Sequence, residues 1–539
     1  MEYDIPLRRT ALACDDLRDW IKRLDKAGEL RRIREEVSPI LEMAEIADRV
    51  SKSGRGTGAP GGPALLFEKV AGYPGARVLM NQFGSERRMK LALGLDPEKG
   101  SLDEIAGRIR ALMEVKSPEG LIEKLRMLPQ LAAIGNFFPK TVSAKDAPCR
   151  EVILRDNFSV LDFPVLQTWP LDAGRFITLP CVVTRDPKTG KRNMGMYRMQ
   201  VFDGQTTGMH WQRQKNAAEH LRERLRAAAG SASARVSAMA ETAGGTANIA
   251  LGNIAGEGID ARLEVAVAIG TDPATTFSAI VPAPPEVEEF LIAGFLRQEP
   301  VELVKCETVN LEVPAHAEVI LEGYVRLDEL RPEGPFGDHT GFYTMQEDYP
   351  VFHITCITHR KDPIWSATVV GKPPQEDAWM GKAVERIFLP LFRLTLPEIV
   401  DINLPVAAVF HNLMIVSIRK SYAGHARKVM NGIWAMGQAM FTKCIVVVDE
   451  DCDVQDLTEV TLRVANNIDP ERDIQFTLGP VDSLDHASRM PNYGSKMGID
   501  ATRKWAAEGF TRPWPPMIEM DAATKARVDA IWKKLAIKD

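Results

Sequence analysis

Residues 332–344 read PEGPFGDHTGFYT, and the rest of the chain is best understood outward from this stretch. Pro332 and Pro335 fix φ and remove backbone donors, while Gly334, Gly337 and Gly341 permit conformations closed to other residues. The stretch is therefore expected to be a shaped loop, neither a regular helix nor a regular strand. Its two acids, Glu333 and Asp338, stand among Phe336, His339, Phe342 and Tyr343 instead of the Ser, Lys and Asn of ordinary surface loops, which favours partial burial. Buried carboxylates need partners or shifted pKa values, and such carboxylates cluster at functional sites. The residues alone leave two readings open, an acid/base loop or a rigid turn whose acids cap neighbouring amides.

Upstream of the loop, from about 150 to 330, apolar and alternating runs (FITLPCVVTRD, RNMGMYRMQVFDG, ARLEVAVAIG, TFSAIVPAP and HAEVILEGYVRL) are separated by Pro, Gly and Asp, which predicts strands of a sheet or partial barrel. An insertion at 217–258 interrupts them with a charged helical pattern, AAEHLRERLRAAAG, expected to face solvent, and an Ala/Ser/Gly-biased tail. Its Arg222, Arg224 and Arg226 would suit an anionic substrate handle. Downstream, YPVFHITCITHR, PIWSATVVG, AAVFHNLMIVSIRKS and KCIVVVDED are strand candidates spaced by helical stretches, ending in the amphipathic DAATKARVDAIWKKLA, as in a second α/β domain. The opening residues, with the helix DLRDWIKRLDKAGELRRI and the strand-like ARVLMNQFG, are mixed α/β. The resulting division is an N-terminal α/β region at 1–125, a strand-rich domain at 126–330, the acid loop at 331–350 and a C-terminal α/β domain at 351–539.

A chain of 539 residues exceeds one hydrophobic core, since single cores stop growing near ~250 to 300 residues. With 45% hydrophobic and 26% charged residues the composition is that of a soluble globular protein. No run of 18 apolar residues offers a membrane span, and the charged N-terminus does not read as a secretory signal, so a cytoplasmic protein is expected. Acids and bases are mixed along the chain to a formal net charge of −6, which argues against nucleic acid as a partner and for small molecules. Seven scattered cysteines with no CxxC pair suggest neither a zinc ribbon nor a disulfide framework.

No GxxxxGK[ST], strand-to-helix GxGxxG, GxSxG or HExxH occurs. What remains is a set of polar residues on apolar strands. Arg198 follows Tyr197 within a run of Met and Gly, where a charge is normally excluded; it is either an edge-strand residue facing water or a partner for Glu333 and Asp338. Glu286, Glu288 and Glu289 open a helical pattern, where acids usually complement the helix dipole.

EGPFGDHTGFY, LEVPAHAEVILEGY, NMGMYRMQ, KSYAGHARKVM and GSKMGIDATRKW together resemble the UbiD family of reversible aromatic and α,β-unsaturated acid decarboxylases, from about residue 15 to the C-terminus apart from the 217–258 insertion. The resemblance implies an α/β (α+β) multi-domain fold with a split β-barrel flavin-binding domain, a helical connection and a C-terminal α/β oligomerisation domain, assembled as a homodimer or homohexamer. It implies prenylated FMN, supplied by a flavin prenyltransferase, with its phosphate held through a divalent metal, commonly Mn²⁺, and K⁺ nearby. It places the catalytic residues at Arg198, Glu333 and Asp338, cofactor contacts at Met196, Tyr197, Arg198, His210, Trp211, Gln212, Lys215 and Asn216, and metal ligands at Asn193, Gln214 and Glu289. Gln214 stands where relatives carry a His, and imidazole binds first-row transition metals better than an amide oxygen does.

Decarboxylation at an sp² carbon needs an electron sink, and in the family the cofactor provides it. Arg198 would hold the substrate carboxylate, Asp338 would carry a proton at the working pH and deliver it after CO₂ departs, and Glu333 would orient Arg198. The substrate remains open between a polyprenyl hydroxybenzoate, a smaller phenolic or heteroaromatic acid and an aryl-CoA thioester. Two other roles are conceivable, a catalytically silent cofactor-binding subunit of a carboxylase complex and an ordinary FMN oxidoreductase.

Overall fold

The apolar runs on either side of the 332–344 stretch pair with each other. In the computed structural model, which describes residues 13–54, 61–113, 135–211, 216–229, 262–283 and 287–535, strand Val319–Glu333 runs antiparallel to Glu347–His359, from Val319 opposite His359 to Glu333 opposite Glu347. The stretch is thus the turn of a long hairpin. It is not wholly irregular, because Phe336–Gly337 and Tyr343–Thr344 form a short antiparallel ribbon inside it.

This hairpin is the middle of a seven-stranded antiparallel sheet. Thr206–Gly208 and Val152–Leu154 add to Glu347–His359, and on the other side Arg262–Ile269, Cys181–Arg185 and Arg192–Gly195 follow Val319–Glu333 in order. The inner strands are apolar on both faces, as sheets covered on both sides require: Val182, Val265, Val267 and Leu321 enter one core, and Val183, Ala266, Ala268 and Ile320 enter another. TFSAIVPAP does not join them. Its first three residues, 276–278, instead end the helix Pro273–Ser278, which starts just upstream where Asp272 caps Thr275 N and Pro273 takes the first helical position; cap chemistry there outweighs the β-branched content.

The N-terminal part stacks helices Leu17–Lys26 and Glu42–Ser51 on a four-stranded sheet of Leu30–Val37, Ala64–Val70, Arg77–Met80 and Ile364–Ser366. Its last strand comes from PIWSATVVG, so the chain returns from the central hairpin to the N-terminal sheet. The 20-residue helix Glu376–Thr395 then leads to a five-stranded sheet ordered Ile399–Asn403, Leu413–Ile418, Cys444–Asp449, Tyr493–Asp500 and Ile474–Pro480. Helix His425–Trp434 covers one face of that sheet, and Leu457–Asn467 packs on the other through Val460. The seven cysteines are free, five of them buried. Helix Ala522–Trp532, expected to bury an apolar side, has no buried residue. No helix among the described residues is long and apolar enough to cross a membrane.

Candidate active site

Arg198 lies in the link between strand Arg192–Gly195 and the short strand Met199–Gln200, and it points inward. The edge-strand reading is therefore excluded: its side chain is 9% exposed and that of its partner Glu333 is 0% exposed. Arg198 Nε donates to Glu333 Oε1 at 2.8 Å, Nη1 donates to Asp338 Oδ2, and Nη2 donates to Thr344 Oγ1 at 3.1 Å. The guanidinium lies over the Phe336 ring, 4.7 Å from its centroid, so the aromatic of the loop serves as the floor of the ion-pair cluster. His210 Nδ1 sits 3.1 Å from Glu333 Oε1, and its ring packs 4.2 Å from that of Tyr349.

Burial pushes both loop acids up, and their neighbours overturn that push. The charges of His210 and Arg198 hold Glu333 below its usual range. Arg198, followed by the hydrogen bond and charge of His339, holds Asp338 well below the usual carboxylate range. This corrects the expectation of a protonated Asp338 at the working pH: in the closed cluster Asp338 is a carboxylate, because a buried cation sits directly on it.

The loop is held from a distance. Asp172 Oδ1 accepts from Gly337 N at 2.8 Å, while its Oδ2 accepts from Thr168 N, Thr168 Oγ1 and Trp169 N at 2.7–3.1 Å. Gln200 Oε1 accepts from Gly334 N at 2.8 Å. Gly334 has φ 97, a left-handed conformation that favours glycine, and a Cβ on Gly337 would come within 2.2 Å of Trp169 Cδ1. Asp172, Gln200 and Thr344 escaped the sequence reading. An Asp four residues after a Thr is the pattern of any local turn, and nothing local marks a bond spanning 165 residues.

A second cluster lies one strand away. Glu289 opens helix Glu289–Arg297, is 5% exposed, and accepts from Met194 N at 2.8 Å. Burial pushes its carboxyl up to about 7, and among the described residues no basic side chain pairs with it. Glu288 is instead taken by Arg192 at 3.0 Å, and Glu286 lies outside the described residues. Asn193 is buried beside Met194 and hydrogen-bonds Tyr197, whose ring meets Trp211 edge to face at 6.5 Å. Met196 is half-buried between two cores.

Trp211 Nε1 and Glu333 Oε2 are buried polar atoms without a hydrogen-bond partner among the described residues. Such atoms are costly unless a ligand or water meets them. Gln212, Gln214 and Lys215 lie outside the described residues, and Asn216 starts helix Asn216–Ala229 without a described side chain. That helix does not simply face solvent. Ala217, Ala218 and His220 are buried, and His220 Nδ1 lies 3.0 Å from Thr184 Oγ1. Arg222 pairs with Glu219, Arg224 Nε donates to Arg262 O at 3.2 Å, and the Arg226 side chain is outside the described set.

Models of the N-terminal, Rift-related and C-terminal domains of 3-octaprenyl-4-hydroxybenzoate carboxy-lyase match residues 21–109, 140–373 and 378–501. An uncharacterized protein of Archaeoglobus fulgidus is 52% identical over 525 residues, covering 97% of this chain and 99% of that one. Among solved structures, the vanillic acid decarboxylase of Sedimentibacter hydroxybenzoicus in its closed form superposes with a TM-score of 0.79 at 26% identity, covering 97% of this chain and 99% of that chain. The UbiD-class enzyme HmfF of Pelotomaculum thermopropionicum, in complex with FMN, superposes with a TM-score of 0.71 at 28% identity, covering 93% and 97%. Three domain models in unbroken order over a fold shared along nearly its whole length leave one conclusion: the chain belongs to the UbiD family and is a carboxy-lyase of that flavin-binding class.

Proposed function

We propose that this protein reversibly decarboxylates an aromatic or α,β-unsaturated carboxylic acid, using prenylated FMN and the Arg198, Glu333 and Asp338 cluster. The observation that carries the reading is one buried guanidinium shared by two carboxylates, together with the buried atoms Trp211 Nε1 and Glu333 Oε2, which lack partners among the described residues. Those atoms fit a polar, planar ligand. Asn193, Glu289 and Gln214 would hold a divalent cation, Mn²⁺ by preference, with K⁺ beside it. Oxygen donors suit a hard cation, and Glu289 has no basic side chain as partner among the described residues. Tyr197, His210 and Trp211 would line the flavin. Once bound, the cofactor supplies the electron sink that an sp² carbon lacks.

The protein supplies the remainder. Arg198 turns from Asp338 to the substrate carboxylate and stays oriented by Glu333, which keeps one ion pair in place throughout. Parting from Arg198 removes the main charge that depresses Asp338, and burial then raises its carboxyl, so Asp338 takes up a proton as the substrate binds. Asp338 next hands that proton to the carbon from which CO₂ has left. The apolar floor of Phe336 and Phe176 excludes water.

The test is co-production with a flavin prenyltransferase, followed by mass and absorbance of the bound cofactor and CO₂ release from a panel of phenolic, heteroaromatic and polyprenylated acids and aryl-CoA thioesters. Prenylated FMN with CO₂ release from at least one acid is the expected result. Bound cofactor without turnover on any of them, or unmodified FMN with hydride transfer, would reject the reading.

A further inference from the structure

The two acids share one guanidinium through different atoms. Arg198 meets Asp338 with Nη1, at the tip of its side chain, and meets Glu333 with Nε, nearer the pivot, at 2.8 Å from Oε1. A swing of the tip therefore frees Nη1 from Asp338 while Nε moves least and keeps its bond. That division holds only if Glu333 itself stays still. A carboxylate held by a single donor turns about χ3, a broad torsion, but Glu333 has a second donor: His210 Nδ1 lies 3.1 Å from the same Oε1. An ionised carboxylate only accepts, so Nδ1 carries the hydrogen of this bond.

His210 is fixed through its main chain and its ring. Its N donates to Arg198 O at 3.3 Å, and Met209 N donates to Pro350 O at 2.9 Å. The imidazole is buried and packs on the ring of Tyr349, with centroids 4.2 Å apart and planes at 35°. Tyr349 is buried as well, and its hydroxyl donates to Glu347 Oε2 at 3.0 Å. Burial, with the charges of Glu347 and Glu333, pushes that hydroxyl up, so it remains a donor. Glu347 stands directly opposite Glu333 in the hairpin, where like charges repel; the Tyr349 hydroxyl ties down one of its oxygens. The charged and titratable groups around Glu333 are thus Arg198, His210, Tyr349 and Glu347, with Asp338 beyond the guanidinium.

We propose that His210, backed by Tyr349, is a positioning residue that keeps Glu333 aimed at Arg198 Nε while the guanidinium turns from Asp338 to the substrate carboxylate; this rests on the decarboxylase reading above. The two acids then differ in what they retain. Asp338 loses the guanidinium, whereas Glu333 keeps both of its donors, stays a carboxylate and leaves Arg198 one direction in which to point. His210 acts through Glu333 in this role, and Tyr349 acts through His210.

The test uses the holoenzyme and an acid that the wild type decarboxylates, with kcat expressed per bound cofactor so that any flavin loss is counted apart. His210→Leu removes the donor and is expected to lower kcat about 10- to 100-fold, the worth of a hydrogen bond to a charged group. It should also move the acid limb of the kcat/KM profile to higher pH, because burial then acts on Glu333 with one donor fewer. His210→Asn, whose Nδ2 takes the place of Nδ1, should recover most of the loss; Leu and Asn have nearly the same shape, so a space-filling role predicts equal losses. Tyr349→Leu should lower kcat in part, and adding it to His210→Leu should cost nothing further, since both act through one bond. An unchanged kcat and pH profile in His210→Leu, equal losses in the Leu and Asn variants, or additive losses in the double variant would overturn the proposal. If the loaded wild type releases no CO₂ from any acid, the decarboxylase reading fails first, and the hold of His210 on Glu333 is judged by infrared titration. The protonated-carboxyl band that Glu333→Gln removes should then appear at higher pH in His210→Leu than in the wild type, and the same onset in both overturns the assignment.

Discussion

At the scale of single residues, one guanidinium, with His210 beside Glu333 and His339 beside Asp338, keeps two buried acids ionised. Asp338→Asn is nearly isosteric and keeps an acceptor for His339, so the protein should fold and retain flavin while turnover falls at least ~10²-fold. Near-wild-type CO₂ release would remove Asp338 from the proton-donor role. Arg198→Met leaves Glu333 and Asp338 buried without their cation, a loss of the order of 3–5 kcal/mol. The pH dependence has a definite sign. Both acids are depressed in the folded state, so their stabilisation is complete above the unfolded carboxylate values of about 4 and disappears as pH falls through the folded values. In Arg198→Met burial dominates and the sign reverses. The gap in thermal midpoint between wild type and variant should widen from pH 4 to pH 7, and a constant gap would show that Arg198 is not what holds these acids ionised. Gln214→His should raise Mn²⁺ retained through dialysis, on the ~10- to 100-fold scale of altered metal surroundings; equal retention would take residue 214 out of the metal site.

At the scale of elements, a hairpin turn becomes an active-site loop because Asp172 and Gln200 grip its backbone at Gly337 and Gly334. Asp172→Asn places an amide NH₂ against donors on one side or the other, at a cost of ~1–3 kcal/mol. The expected outcome is faster hydrogen exchange across 334–344 and a reduced kcat with cofactor still bound. Unaltered exchange would mean that the ribbon Phe336–Gly337 with Tyr343–Thr344 holds the loop by itself. The legibility of elements followed their local chemistry. The run HAEVILEGYVRL, which forms the first part of strand Val319–Glu333, and the helix Leu457–Asn467 are readable from period, whereas the end of that strand runs into the stretch read as a loop. Pro273–Ser278 was misread because its β-branched residues masked an Asp-Pro helix start.

At the scale of the whole molecule, the C-terminal part keeps apolar residues in water. Edge strand Ile474–Pro480 exposes Phe476 and Leu478, at 70% and 56%, and Met517, Ile518, Met520 and Trp532 are exposed beyond it. An apolar edge and an unpacked helix on one chain suit burial against a second copy. Light scattering after gel filtration should show an oligomer at micromolar concentration, and a chain ended at residue 510 should be smaller than that oligomer predicts. A monomeric full-length protein would refute this.

Periodicity and a dense Gly/Pro stretch are local properties carried by neighbouring residues, so the strand-rich centre, the C-terminal α/β part and the shaped acid loop were legible in the sequence by itself; the family, and Arg198 as the partner of the two acids, came from the resemblance of several motifs taken together. The tertiary structure alone decided that strand Ile364–Ser366 returns to the N-terminal sheet, that Glu289 and not Glu288 is the acid left without a basic partner among the described residues, that Asp172 anchors the loop, and that His210 stands against Glu333. It also decided the charge of Asp338. The role that the resemblance implied was an acid holding its proton, but a pKa depends on which cation the fold brings within hydrogen-bonding distance, and Arg198 lies 140 residues away along the chain.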